Sequence, residues 1–436
     1  MSGNTFPGMW CVLLVLTLAV IAPADVRHCA PVNVPGAAYQ QQVCLGDLTT
    51  TGTVASGHTD PADWAGLTSA ALPTPSGVPG IQVDGYFPDS STTNTNHGWL
   101  HDSQFVLRLP DRWNGGLVVT GSPGVREQYA NDRAIGDWVL ARGYAFAATD
   151  KGNTGVRFYR DGAAIEEWNR RLTQLTIAAK AVVAQRYGRP PHRTIATGLS
   201  NGGYLVRWQL ENRPWLYDGG VDWEGTLWTV PGPNLLTFLP PALRAYPAYL
   251  AGDERAHADL VAAEFPAGSE FLWDYHYRYY WDLTQRIYRE ELDPGFDGPL
   301  EAGVPFCVPG SPACDADYDY AARRSIAGPA VAPIALSGRL KKPLITLHGT
   351  YDVLLPISRD SDVYAAMTRG HQHRYYRVEQ GTHVDGLVDV YPDRLRPLAP
   401  CHRSAFEALE RWLDGTPPPP SATLPRPADT GTCPLG

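Results

Sequence analysis

The chain has no cluster of lysines or arginines: 36 basic residues face 45 acidic ones, for a formal net charge of −9. Nucleic-acid binding needs a basic patch or stripe, so that class is excluded, and a small molecule or a neutral polymer is the expected partner. Beyond residue 22 no apolar run is long enough to cross a bilayer, which excludes an internal membrane span. No C-x-x-C pair occurs and no histidine lies at ligand spacing beside a cysteine, so no zinc site is assigned. Internal repeats are lacking too, and with them the solenoid and propeller architectures.

What is present begins with "MSGNTFPGMWCVLLVLTLAVIAPAD", an apolar run from Met9 to Ala22 that ends at the small-residue pattern Ala22-Pro23-Ala24. It reads as a signal peptide, residues 1–24, of a secreted protein. The segment before the run carries no Lys or Arg, which keeps a retained anchor as the alternative. Removing this leader removes Cys11 and leaves Cys29, Cys44, Cys307, Cys314, Cys401 and Cys433, an even set suited to disulfides in an oxidising compartment. Nearest-neighbour pairing, 29 with 44, 307 with 314 and 401 with 433, is one of the connectivities this set allows.

Past a Pro/Gly/Ser-rich entry, short β-branched runs alternate with longer amphipathic stretches, the order of a mostly parallel sheet flanked by helices. The strand candidates are Gln104–Leu109, Leu117–Thr120, Tyr144–Thr149, Thr194–Thr197, Gly220–Trp223, Pro343–Leu347 and Arg374–Val378. Helical spacing appears at Ile135, Trp138 and Val139, at Leu175, Ala178 and Val182, and at Phe406, Leu409 and Leu413. Between residues 226 and 340 the alternation stops and an aromatic, helix-like run takes over. That stretch is too long for a plain connection, so it is read as an inserted, mainly helical lid between two parts of an α/β domain, 25–225 and 341–415. Residues 416–436 are a Pro-rich tail that cannot pack a core of its own.

The segment "TIATGLSNGGY" holds Gly198-x-Ser200-x-Gly202 between a β-branched run and the amphipathic "NGGYLVRWQLENR". A strand-to-helix turn this tight requires small neighbours and leaves the serine exposed for attack. A serine hydroxyl needs a base, and the base an orienting acid, here expected in the chain order Ser, acid, His. The strand in "KKPLITLHGTYDVLLP" ends in a turn presenting Asp352, and the loop after "HRYYRVEQGTHVDG" carries His383. Ser200 is therefore the candidate nucleophile, His383 the base and Asp352 the group that holds the imidazole in its productive tautomer. Asp222 and Glu224, at the end of the strand after the nucleophile helix, are the rival acids, and His348 is expected to hydrogen-bond locally. For the oxyanion, one donor is the Asn201 N–H. The second comes from the loop "TGSPGV", where Gly121, Ser122 or Gly124 can donate and Pro123 cannot, and Ser122 is taken.

The stretches "LRLPDRWNGGLVVTGSPG", "LARGYAFAATDKGNTG" and "AKAVVAQRYGRPPHRTIATGLSNGGYLVRWQLENRPWLYDGGV", with the His383 loop, resemble the tannase and fungal-type feruloyl esterase family of α/β-hydrolases. The resemblance runs from about Leu107 to Val221 and from about Pro343 to Leu413. It implies an α/β-hydrolase fold, a secreted serine esterase with a large lid, and Ser200, Asp352 and His383 in the roles above. Two departures are visible. Leu199 and Val384 stand where the family usually carries a disulfide-forming pair of cysteines, and Asn153 stands where it has a histidine. Tannin or ferulate specificity is therefore not carried over, and bacterial esterases acting on polyester or hydroxyalkanoate oligomers are equally close in kind.

The resemblance also brings calcium in the lid into view, for which Asp315, Asp317 and Asp319 in "CDADYDY" are the candidate ligands. An EF-hand glycine and bidentate glutamate are missing, and a solvated acidic loop is the alternative, so no cofactor is assigned. The aromatic run from Phe271 to Trp281 either lines a substrate pocket or forms the lid's own core, and Trp228, Trp273 and Tyr277 are taken as pocket candidates. The expected function is hydrolysis of aromatic esters or of polyester or hydroxyalkanoate oligomers. An amidase or peptidase on the same triad, or a non-catalytic binding protein on the same fold, are the competing classes.

Overall fold

The computed structural model describes residues 29–89, 96–152, 164–296, 315–368, 370 and 372–435. The expected signal peptide, the Cys307–Cys314 pair and Asn153 lie outside the described residues.

Ten strands form one sheet: β1 (Tyr39–Leu45), β2 (Gly80–Tyr86), β3 (Gln104–Pro110), β4 (Gly116–Gly121), β5 (Ala145–Thr149), β6 (Arg193–Leu199), β7 (Gly219–Trp223), β8 (Leu344–Gly349), β9 (His373–Val378) and β10 (Ala422–Leu424). Their spatial order is β1-β2-β3-β5-β4-β6-β7-β8-β9-β10. The first three and the β3/β5 pair are antiparallel, and every pairing from β5 to β10 is parallel. The central strands are buried on both faces, which is why they read as continuous apolar runs rather than alternating ones.

The helices are α1 (Thr50–Ala55), α2 (Asp137–Ala141), α3 (Ala164–Tyr187), α4 (Asn201–Asn212), α5 (Leu235–Leu250), α6 (Glu254–Ala262), α7 (Glu270–His276), α8 (Asp282–Leu292), α9 (Tyr320–Val331), α10 (Ser361–Met367) and α11 (Ala399–Leu413). One sheet face packs its core against α2, the helical turn before it and α11, through residues such as Ile135, Val139, Phe406 and Leu409. The other packs against α3 and α4, and its core is continuous with that of α5 to α9. This two-faced covering of a mostly parallel sheet is the α/β-hydrolase architecture read from the sequence. Helices α5 to α9 all fall between β7 and β8, within the segment expected to be inserted. Among the described residues no helix is long and apolar enough to cross a membrane.

Cys29 is bonded to Cys44 and Cys401 to Cys433, two of the three nearest-neighbour pairs. The second bond ties the C-terminal segment to α11. That segment is more than an extended tail: Ala422–Leu424 adds β10 in parallel to β9, and Leu424, Cys433 and Leu435 enter the core. Proline is tolerated beside an edge strand because the unpaired side needs no N–H.

Candidate active site

Four adjacent parallel strands, β6, β7, β8 and β9, each deliver one group at their C-terminal ends. Ser200 follows β6 directly and precedes α4, with φ 59° and ψ −120°. Its N–H donates to Trp223 O at 2.9 Å and its carbonyl accepts from Tyr204 N–H at 2.9 Å, which fixes this strained backbone from both sides. The glycines of the motif are dictated by contact. A Cβ on Gly198 would lie 2.5 Å from the Gly202 backbone, and one on Gly202 would lie 2.3 Å from Gly121 O.

His383 Nε2 lies 2.9 Å from Ser200 Oγ, and His383 Nδ1 lies 2.7 Å from Asp352 Oδ2. Asp352 Oδ1 accepts the N–H groups of Leu354 and Leu355, each at 2.8 Å, so one carboxylate oxygen is held by backbone while the other faces the imidazole. Burial alone would raise the Asp352 pKa. The charge of His383 and hydrogen bonds from His348 and His383 outweigh it and hold the carboxyl well below the ordinary range. With the carboxylate anchored, Nδ1 is the protonated nitrogen and Nε2 carries the lone pair toward Ser200. His348 has Nδ1 against Ser361 Oγ at 2.7 Å and Nε2 against Leu355 O at 2.9 Å, and is 3.2 Å from Asp352.

Of the rival acids, Asp222 is turned away, accepting from Arg207 Nε at 2.6 Å and Thr346 Oγ1 at 2.9 Å. Glu224 is not turned away: its Oε2 is 3.5 Å from His383 Nδ1.

Asn201 begins α4, where the first N–H groups have no partner within the helix. Its side chain reaches across, Nδ2 donating to Gly124 O at 3.1 Å and to Tyr288 Oη at 2.7 Å, and so ties the nucleophile turn to the loop after β4. Ser122, expected as the second donor, has its N–H engaged elsewhere. Ser122 N–H donates to Thr149 O at 3.0 Å, the bond that closes the last pair of the β4/β5 ladder, Gly121 with Thr149, and it is not free for an oxyanion. Ser122 instead shapes the loop, its Oγ donating to Arg126 O at 2.7 Å and accepting from the buried Lys151 Nζ at 2.6 Å. Arg126 N–H goes to Pro123 O, which leaves Gly124 and Val125 as the loop N–H groups beside Ser200.

Ser200 and His383 open into a mostly apolar cavity of about 160 Å³. The insertion lines it with Tyr280, Leu283, Thr284 and Ile287, which share one helical face at i, i+3, i+4 and i+7, continued by His276 one turn earlier. His276 Nδ1 donates to Leu272 O at 2.9 Å, and burial pushes its pKa down to about 4, so the ring is neutral near pH 7. The three pocket candidates read from the sequence are not in this lining. Trp228 is buried beside Tyr288 at 5.4 Å between centroids, Trp273 donates its indole N–H to Ser269 Oγ at 2.9 Å, and Tyr277 stacks on Tyr246 at 4.4 Å. Trp228 and Trp273 belong to the core of the helical segment, and Tyr277, half-buried, packs against it. A high density of aromatics does not distinguish core from pocket wall, whereas the helical phase of Tyr280, Leu283, Thr284 and Ile287 does.

Calcium does not fit the acidic residues described. Both Asp315 oxygens accept from Arg289, at 2.7 and 3.4 Å, Asp319 Oδ1 caps α9 through Ala321 and Ala322, and Asp317 is exposed.

Comparison with known proteins agrees with this architecture. Residues 92–219 match the "Tannase and feruloyl esterase" family, and residues 316–435 match the "3HB-oligomer hydrolase" family. The mono(2-hydroxyethyl) terephthalate hydrolase of Piscinibacter sakaiensis is 30% identical over 141 residues, which are 28% of this chain and 23% of that protein's length. Feruloyl esterase B from Aspergillus oryzae superposes with a TM-score of 0.55 at 13% identity, covering 89% of both chains, a likeness of fold.

Proposed function

We propose that this chain, which has an α/β-hydrolase fold and matches the tannase and feruloyl esterase family over residues 92–219, is a secreted, serine-dependent carboxylic ester hydrolase working through an acyl-enzyme. The observation that carries this reading is the continuous relay from Ser200 to His383 to Asp352, at 2.9 and 2.7 Å, opening on an apolar cavity. Ser200 Oγ attacks the ester carbonyl carbon while His383 Nε2 takes the hydroxyl proton. The carbonyl oxygen becomes an oxyanion, met by the Asn201 N–H and an N–H of Gly124 or Val125. Asp352 stays ionised and offsets the imidazolium. When the tetrahedral intermediate collapses, the C–O bond to the alcohol breaks and His383 returns its proton to the departing oxygen. Water, deprotonated by the same nitrogen, then cleaves the acyl-serine and releases the acid.

The cavity is close in size to one that holds a benzene ring, about 150 Å³, so the pocket fits one aromatic ring or a short chain. Aromatic esters and hydroxyalkanoate or polyester oligomers are the substrate classes that follow, in line with the names of the matched families and of the terephthalate hydrolase. Secretion is supported by the two disulfides, which persist in oxidising compartments.

The test is a burst-phase assay on p-nitrophenyl esters of graded acyl group, run beside Ser200→Ala. A stoichiometric burst, lost in the variant, is expected, with benzoyl or short hydroxyacyl esters turned over best. A folded protein that gives neither burst nor turnover on any ester overturns the reading and moves the assignment to amides or to binding.

A further inference from the structure

Glu224 follows β7, the strand lying between those that deliver Ser200 and Asp352. It is fully buried, with a left-handed backbone at φ 51°, which a Glu adopts when its surroundings impose it. Its N–H donates to Leu347 O at 2.9 Å. Farther along the turn, Gly225 N–H donates to Asp222 and Leu227 N–H to Asp360, both at 2.7 Å. Arg207, itself buried, clamps those two aspartates at 2.6 and 2.8 Å. The turn aims the carboxyl at the neighbouring strand ends: Oε1 accepts Gly349 N–H at 2.5 Å, and Oε2 stands 3.5 Å from His383 Nδ1. Oε2 is buried and has no hydrogen-bond partner among the described residues, an arrangement that is costly unless it serves something. One imidazole nitrogen thus faces two carboxyls, Asp352 at 2.7 Å and Glu224 at 3.5 Å.

We propose that Glu224 is a second orienting acid for His383, a positioning residue that shares Nδ1 with Asp352 and takes over from it when the Asp352 carboxyl is removed. The inference rests on the esterase reading of this same site. Two carboxylates so close would repel each other, and the pair avoids this by retaining one proton. Burial first, then the charge of Asp352, push Glu224 well above the ordinary range; Asp385 and Asp222 add to this and Gly349 N–H opposes it. Asp352, facing both His383 and His348, is the ionised member. Removing its carboxyl removes the charge that keeps Glu224 neutral. Glu224 then ionises at lower pH, and a shift of under about 1 Å brings Oε2 within hydrogen-bond reach of Nδ1. His383 Nδ1 keeps its proton throughout, so the exchange of partners moves no proton along the relay.

The test compares pH profiles of kcat/KM for the wild type, Asp352→Ala, Glu224→Gln and the double variant, on the p-nitrophenyl ester turned over best. Alanine is chosen over asparagine because the two backbone N–H groups at Oδ1 would turn an asparagine NH₂ toward His383 and force the wrong tautomer. Asp352→Ala is expected to lose about 100-fold and to gain a limb that rises with pH as Glu224 ionises. The double variant is expected to lose about 10,000-fold and to lack that limb. The proposal is overturned if Glu224→Gln costs the same factor with and without Asp352, or if Asp352→Ala alone falls to the level of the double variant.

A second readout needs no turnover. The low-field proton resonance of His383 Nδ1–H should persist in Asp352→Ala and vanish when Glu224 is also changed; its absence from folded Asp352→Ala contradicts the proposal. Should the double variant not fold, the pH limb and the resonance of Asp352→Ala decide. A wild type that hydrolyses no ester, with these resonances behaving as expected, overturns the esterase reading and leaves the carboxyl pair standing.

Discussion

The sheet and the helical segment between β7 and β8 build their parts of the site by different means. On the sheet, position is set by hydrogen bonds: Asp352 by two backbone N–H groups, Glu224 by Gly349 N–H, and the turn after β7 by the Arg207 clamp. In the helical segment it is set by apolar packing, with Trp228, Trp273 and Trp281 fully buried and one face of the Tyr280 to Ile287 stretch left to line the cavity. A group that must sit within tenths of an ångström of its partner is placed by directional bonds, whereas a pocket wall needs only volume and shape. Chemistry and selectivity are therefore separable here, and substitutions should show it.

The largest separation is expected from His383→Ala, which should lower kcat by about 10⁶ while leaving the melting temperature nearly unchanged. Arg207→Met tests the clamp beneath the sheet. Breaking a buried ion pair from one side leaves two aspartates uncompensated, and a loss of about 3–5 kcal/mol in urea unfolding is expected.

In the helical segment two aromatic truncations should diverge. Trp273→Ala should cost about 3–5 kcal/mol of stability, because it empties core, and keep the ranking of acyl groups. Tyr280→Ala should change KM between small and aromatic acyl esters by about 10-fold, with little effect on unfolding. The reverse pattern would mean that the assignment of core and wall is inverted.

The same difference governs how much of the fold and the site is legible in the sequence. Seven strands were legible as β-branched runs, and Ser200, Asp352 and His383 were legible because each sits in a Gly-bearing turn at a strand end. The engagement of Ser122 is not legible, because nothing local tells how far the β4/β5 ladder runs, and that length decides which N–H is free. Strands β1 and β2 are obscured by the Pro/Gly/Ser-rich entry around them, and β10 by the prolines beside an edge strand. From the sequence Glu224 is only a rival to Asp352, since a carboxyl joining an existing pair leaves no mark in spacing.

The smallest effect concerns a histidine remote from the site. His402 on α11 lies buried against Thr197 Oγ1 at 2.7 Å, and burial pushes its pKa down to about 3. Between its ordinary value of 6.5 and about 3 the unfolded chain binds this proton and the native one does not, so native stability falls as pH falls through that window. Relative to His402→Gln, the wild type should lose up to about 1.4 kcal/mol per pH unit in urea titrations over this range. Parallel slopes for the two proteins would refute the buried neutral state.

The relay itself is tested most directly by labelling. A fluorophosphonate, which reacts with an activated serine, should add one phosphonyl group per chain, mapped by peptide mass to the segment containing Ser200. The adduct should be absent from Ser200→Ala and strongly slowed in His383→Ala. A folded protein that stays unlabelled, or that carries the label on another residue, would contradict the account.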